Sequence, residues 1–210
     1  MTQDLSSIEA VIFDFGGVLC DHPDERRFAE IAHFLKVDPA HFTKAFWEHR
    51  IPYDAGLEEA EYWSTILDQL GLPWNPQQLP SLVKYEIDLW SQFDRRVFDY
   101  SDYLQGRGYS TGILSNLPRP LGEALLARPG FMDPFDHHTF SYKLGVVKPA
   151  AAIYKHAIDG LGVAPEQALF LDDREENVEG ARAAGLQAEL YIGWEDLSEI
   201  IAPRYGLPLP

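Results

Sequence analysis

Val11-Ile12-Phe13-Asp14-Phe15-Gly16-Gly17-Val18-Leu19 is the stretch on which the reading of this chain turns. An apolar strand ends in a carboxylate, and a pair of glycines follows Phe15. That geometry presents a carboxylate beside bare backbone amides, a place suited to a metal and a phosphate. The residue two after Asp14 is Gly16, where a second acid is expected if the site supplies its own proton donor.

Working outward, four more short apolar runs read as strands: Ser110–Leu114, His138–Tyr142, Ala168–Leu171 and Gln187–Ile192. Helical spacing separates them, over Leu121–Ala127, over Ala150–Leu161 with Pro149 as a first-turn residue and Gly162 as a stop, and over Glu175–Ala184. Strand and helix in alternation predict an α/β core, a Rossmann-like parallel sheet covered on both faces. Between the first two strands the rhythm breaks. Glu25–Lys36, Pro39–His49, Leu57–Leu70 and Gln77–Trp90 all carry apolar residues at helical spacing, with turns marked by Pro52, Gly56, Gly71, Pro73 and Pro76. We therefore expect residues 1–20 and 94–210 to form the core and 21–93 an inserted all-helical cap. Its expected position is over the carboxyl ends of the strands, where open α/β sheets bind ligands.

Composition narrows the function. Lys plus Arg number 17 and Asp plus Glu 33, a formal net charge of −16 in 210 residues. Such a surface repels nucleic acid and anionic membrane, so neither is an expected partner. A phosphate site on it needs a cation or local donors. The one cysteine, Cys20, permits no internal disulfide. Met1–Ala10 lacks the basic-then-apolar order of a signal peptide, and no apolar run approaches the roughly 18 residues of a spanning helix. A soluble cytoplasmic protein is the expectation.

Four polar positions fall where strands or turns end: Asp14, Ser115-Asn116, Lys148 and Asp172-Asp173. In a parallel sheet these ends share one edge. Asp14, Asp172 and Asp173 are hard oxygen ligands of the kind Mg²⁺ prefers, and three carboxylates brought together call for a cation. Lys148 is a point charge for a phosphoryl oxygen or the attacking carboxylate. Ser115 and the amides at Gly16-Gly17 can donate to phosphate. Asn177, in the first turn after Asp173, is placed to brace the loop.

With those residues in hand, the chain resembles the haloacid dehalogenase-like superfamily. Phe-Asp-Phe-Gly-Gly-Val-Leu at 13–19, Ile-Leu-Ser-Asn at 113–116, Gly-Val-Val-Lys-Pro at 145–149 and Phe-Leu-Asp-Asp-Arg-Glu-Glu-Asn at 170–177 match its segments in order. The resemblance implies that Asp14 attacks phosphorus to form an aspartyl-phosphate. It implies that Ser115, Asn116, Lys148 and Gly17 hold the phosphoryl group. It places Mg²⁺ on Asp14, the Gly16 carbonyl, Asp172 and Asp173. The departure is Gly16, where most family phosphatases and mutases carry a second Asp that protonates the leaving group. General acid–base help of this kind is worth about 3–5 kcal/mol. A sugar-phosphate phosphatase branch with Gly at this position is most similar, with Asp21 or a cap residue as candidate proton donor. The expected function is thus Mg²⁺-dependent hydrolysis of a small phosphate monoester, a phosphorylated metabolite of sugar-phosphate type. Two alternatives stand beside it: a 2-haloacid dehalogenase, which needs no metal and lacks the acid pair of Asp172-Asp173, and a Mg²⁺- or phosphate-binding protein whose Gly16 marks lost catalysis.

Other motifs read as structural. Cys20 and Arg26 have the spacing of a cysteine-phosphatase loop, but Asp21, Asp24 and Glu25 between them bring negative charge where phosphate would sit, so Cys20 is expected as a buried thiol. His137-His138 is expected to open an edge strand. Trp47, Tyr53, Tyr62 and Trp63 are expected mostly in the cap core, with one or two facing the cleft. Arg50 is a candidate specificity residue.

Overall fold

The computed structural model describes residues 7–210. The reading of Met1–Ala10 as no signal peptide falls largely on residues 1–6, outside the described ones. Strand β1 spans Ala10–Phe13 and is followed by helices α1 (Glu25–Leu35), α2 (Pro39–Glu48), α3 (Arg50–Asp54), α4 (Glu59–Gln69), α5 (Leu79–Leu89) and α6 (Arg95–Gln105). Then come β2 (Ser110–Ser115), α7 (Arg119–Leu126), β3 (His137–Phe140), α8 (Ser141–Leu144), α9 (Ala151–Leu161), β4 (Ala168–Asp172), α10 (Glu175–Ala183) and β5 (Gln187–Leu190).

The sheet runs in the order β3-β2-β1-β4-β5, and every pairing is parallel. Alternation along each strand sorts its side chains between two apolar layers. Val11 and Phe13 of β1 and Leu169 and Leu171 of β4 enter one layer, with Val97 and Leu104 of α6 and Leu121 and Leu125 of α7. Ile12, Ala168 and Phe170 enter the other, with Ile153, Tyr154 and Ala157 of α9 and Val178 and Ala181 of α10. Both faces are covered, and β1 and the first four residues of β4 are accordingly apolar and buried at every position.

Helices α1–α5 lie between β1 and β2 and pack on one another through Phe28, Phe42, Phe46, Tyr62, Trp63 and Leu82, all buried. Polar contacts are among those that tie them to the sheet side. The Ser141 hydroxyl donates to the Asp54 carbonyl at 2.5 Å, and Arg119 pairs with Glu59 at 2.7 Å.

The structure departs from the expected elements in specific places. Helix α6 lies in a stretch that the sequence reading left without an element. Its residues Val97, Phe98 and Tyr100 favour strands by propensity, and burial on the sheet with an Asp94 cap decides for helix. Pro52 lies inside α3, in the first turn, where its missing N–H leaves no intrahelical bond unmade. Helix α9 is capped at Ala150, so Pro149 precedes the helix. Strand β3 ends at Phe140, because Ser141 and Tyr142 already belong to α8. His137-His138 does open an edge strand. Among the described residues, no helix is long and apolar enough to cross a membrane.

Candidate active site

The parallel register brings the predicted residues together. Asp14 directly follows β1, and its N–H donates to Leu171 O at 2.9 Å, so strand pairing continues one residue beyond the strand and sets Asp14 beside Asp172. Ser115 ends β2 and Asp172 ends β4. Carboxylate oxygens of Asp14, Asp172 and Asp173 all lie within 4.8 Å of one another. Lys148 reaches the same point from the loop before α9. Its ammonium lies 2.9 Å from Asp14 Oδ1 and 2.7 Å from Asp172 Oδ2, and it donates to Leu114 O at 3.1 Å.

Three further residues hold this centre in place. The Asn116 side chain bridges the Lys148 backbone, accepting from its N–H at 2.8 Å and donating to its carbonyl at 3.1 Å. Both functional groups of Asn116 are thus engaged in positioning Lys148, although Asn116 was expected to contact phosphate itself. Asn177 donates to both Asp172 oxygens, at 2.9 and 3.1 Å, which is the bracing role expected of it. Asp172 also accepts from the Arg174 N–H at 2.9 Å. The N-cap position of α10 is Arg174, with no side-chain cap, so neither aspartate is spent on capping that helix.

Asp14, Lys148 and Asp172 are all buried, and one cation is shared between two acids. Burial pushes the Asp14 carboxyl up to about 7, with Asp172 and Asp173 adding to the rise and Lys148 opposing it. Burial also disfavours the Asp172 charge, but Lys148 and Asn177 outweigh it and hold this carboxyl below its ordinary value. Lys148 is held charged, the two acids outweighing its own burial. With three carboxylates against one ammonium, the donor set is all hard oxygen and carries excess negative charge. That fits a divalent cation such as Mg²⁺.

The glycine turn differs from expectation. Gly17 has φ of 78°, and a β-carbon there would fall 2.6 Å from Asp173 Cγ and 2.8 Å from His22 Nε2, so only glycine fits. Its N–H is already donated to Cys20 O at 2.7 Å, which removes it from the phosphate-binding set in which it was expected. Phe15 and Gly16 line the cavity; Gly17 does not. At Gly16, a β-carbon would lie 2.9 Å from the Trp90 ring. The indole fills the space that a second acid would need. Gly16→Ala should therefore lower stability by about 1–3 kcal/mol through overpacking, and Trp90→Phe should recover part of it. Equal urea midpoints for wild type and Gly16→Ala would contradict that packing.

A cavity of about 600 Å³ opens above these residues, lined by the core loops and by the α2–α3 and α5 ends of the helical layer. Several lining residues carried no clear sequence signal. His22 sits in the charged run between Cys20 and Arg26 and binds Asp173 at 2.7 Å, which raises its pKa. Asp21, the candidate proton donor, is exposed and outside the lining. Cys20 is buried, and burial pushes its thiol up to about 12, so it is no nucleophile. Trp47 lines the cavity, whereas Tyr53, Tyr62 and Trp63 are fully buried among the helices between β1 and β2.

Arg50 lines the cavity but is held from behind. Its Nε contacts Asp54 at 2.8 Å and its Nη1 contacts Glu86 at 2.7 Å, while Tyr53 donates to Glu86 at 2.9 Å. Two buried acids again share one cation, and burial pushes Glu86 up to about 7. An acid raised in the folded state is stabilising while protonated. That contribution is complete below the ordinary glutamate range and is lost as pH rises through about 7. Wild type should therefore lose stability relative to Glu86→Gln between pH 5 and pH 8, by an amount on the order of 3 kcal/mol. Urea titrations of both proteins at the two pH values measure it, and parallel pH trends would refute it.

Against this geometry, the model of the haloacid dehalogenase-like hydrolases matches residues 8–185. The chain belongs to the haloacid dehalogenase-like hydrolases. Like other members of that family it is similar to named phosphatases. It is 25% identical over 182 residues to the sesquiterpene phosphatase astK of Aspergillus oryzae, covering 86% of this chain and 88% of that one. It is 26% identical over 196 residues to the D-ribitol-5-phosphate phosphatase of Bacteroides thetaiotaomicron, covering 86% and 90%. A haloacid dehalogenase-like enzyme from Bacteroides thetaiotaomicron, solved as a magnesium complex, superposes with a TM-score of 0.76 at 21% identity, covering 93% of this hydrolase and 99% of that chain. At that identity the superposition establishes the shared fold.

Proposed function

We propose that this hydrolase is a Mg²⁺-dependent phosphatase that cleaves a small phosphate monoester through an aspartyl-phosphate on Asp14. The observation that carries the reading is the convergence of Asp14, Asp172 and Asp173 around Lys148, at the floor of a cavity roofed by helices. Phosphatase relatives and the magnesium complex of a structural neighbour support it.

Asp14, the Gly16 carbonyl, Asp172 and Asp173 would hold the metal. Bound there, Mg²⁺ supplies positive charge that favours ionised Asp14 and neutralises phosphoryl oxygens. Asp14 attacks phosphorus in line, the bond from phosphorus to the ester oxygen breaks, and the leaving oxygen takes a proton from water, whose hydroxide serves the next step. Lys148 and Ser115 hold the equatorial oxygens as charge shifts. The hydroxide then attacks the same phosphorus and frees Asp14. In sum, the ester and one water become the alcohol and inorganic phosphate. Residues 21–93 act as the cap, excluding bulk water and shaping the leaving-group side. The acid pair Asp172-Asp173 favours this chemistry over halide release.

Phosphate release from p-nitrophenyl phosphate and a panel of monoesters tests the reading. Expected is release that EDTA abolishes and added Mg²⁺ restores. Halide release from 2-chloropropionate insensitive to EDTA would replace it with dehalogenation. Saturable Mg²⁺ or phosphate binding without turnover of any ester would replace it with a binding role. The two relatives act, by name, on a polyol phosphate and on a sesquiterpene phosphate, so the leaving group must be read from the walls of this cavity.

A further inference from the structure

We infer that the leaving group is the residue of a hydrophobic alcohol, alkyl or aryl, rather than the polyhydroxylated sugar expected from sequence. The inference rests on the phosphatase reading above and deepens it.

Apolar side chains exposed together in a cleft mark a ligand-binding groove, whereas singly scattered ones carry no such meaning. Trp47 is 42% exposed and Ile51 69% exposed, and both line the cavity. They lie four residues apart across the α2–α3 junction, on consecutive turns of the roof. Leu117 and Val147, on core loops, and Leu121, on α7, line the same cavity from the sheet side. Apolar surface thus reaches the leaving-group space from both sides, with His22, Arg174 and Glu176 as the polar residues of the rim.

The buried polar groups on the helical side of that wall are paired with one another, and those on the rim pair in solvent. Arg50 and Asp54 bind each other, and Arg50 also binds Glu86. The Arg50 guanidinium lies 5.2 Å from the Phe46 ring centre and 5.6 Å from that of Tyr53, packed among rings. Asn116 is engaged with the Lys148 backbone, and Arg174 pairs with Glu176 at 2.6 Å. Sugar hydroxyls entering this space would give up water and find occupied partners, which selects against them. An alkyl or aryl group loses nothing polar and covers Trp47 and Ile51. The cavity, about 600 Å³, is large enough for phosphate and a chain of several carbons together.

The test is a series of n-alkyl phosphates from methyl to octyl, set against glucose 6-phosphate and ribitol 5-phosphate, with Mg²⁺. Each methylene that enters the cavity should raise kcat/KM about fourfold until the cavity is full. Octyl phosphate should exceed both sugar esters by at least about a hundredfold. Trp47→Ala and Ile51→Ser should each cut kcat/KM for octyl phosphate about tenfold, chiefly through KM, and so flatten the dependence on chain length from methyl to octyl. Sugar esters cleaved faster than octyl phosphate, or a flat alkyl series, would overturn the inference while leaving the phosphatase reading intact. A second readout separates the two. Tryptophan fluorescence titration with non-hydrolysable octylphosphonate should show binding at least tenfold tighter than methylphosphonate, weakened by Ile51→Ser. That binding without turnover of any ester would sustain the inference about the walls and sink the phosphatase. Equal binding of the two phosphonates would sink the inference.

Discussion

Asp14→Asn should abolish Mg²⁺-dependent phosphate release, by more than about four orders of magnitude, and leave the fold standing. The size follows from the role. A carboxamide cannot form the acyl-phosphate, and removal of a covalent nucleophile leaves only binding and electrostatic help from the rest of the site. The fold survives because the amide oxygen can still accept from the Phe15 N–H and from Lys148, as Asp14 Oδ1 does at 2.6 and 2.9 Å. The electrostatics add a check that a trivially unfolded variant would fail. Burial raises the Asp14 carboxyl to about 7, so in metal-free protein its contribution to stability is present at low pH and is lost as pH rises through about 7. Asn carries no such dependence. In EDTA at pH 8, Asp14→Asn should be at least as stable as wild type, and Mg²⁺ should stabilise wild type more than the variant. Single-turnover assays and urea titrations measure both halves. Retained Mg²⁺-dependent release in a folded Asp14→Asn protein would remove Asp14 as nucleophile.

Lys148→Met carries the second large effect, on stability as well as on rate. The ammonium is buried between Asp14 and Asp172 at 2.9 and 2.7 Å. Methionine keeps most of the volume and removes the charge, leaving two buried carboxylates without their cation. Breaking a buried pair in this way costs about 3–5 kcal/mol. Asn116 also loses nothing of its own, since it binds the Lys148 backbone, so the loss reports the charge rather than the loop. Turnover should fall about 10²–10³-fold or more, as when one donor to a developing charge is removed. Mg²⁺ should restore part of the stability, because it answers the same excess of negative charge, but not the rate. Urea titration at pH 8 with and without Mg²⁺ decides it. An unchanged midpoint in EDTA would mean that the acids do not depend on Lys148.

These two effects concern residues that the sequence exposes, and the reason is topological. Apolar runs alternating with helical patterns specify a parallel sheet, and a parallel sheet places every strand end on one edge. Asp14, Ser115 and Asp172 therefore converge although they are far apart along the chain, and Lys148 follows from its place before a helix. Helix α6 was not legible because Val97, Phe98 and Tyr100 are strand formers whose helical state comes from packing on the sheet.

What only the tertiary structure decided is which groups remain available to a ligand. Gly17 offers an amide in sequence, but Cys20 O takes it. Asn116 offers an amide side chain, but the Lys148 backbone takes it. Trp90 stands against Gly16, and Trp47, Ile51 and Leu121 line one cavity although their segments share no local period. Strand and helix periodicity records which face of an element is apolar. It does not record which distant side chain fills the space opposite, and on that depends the choice of substrate.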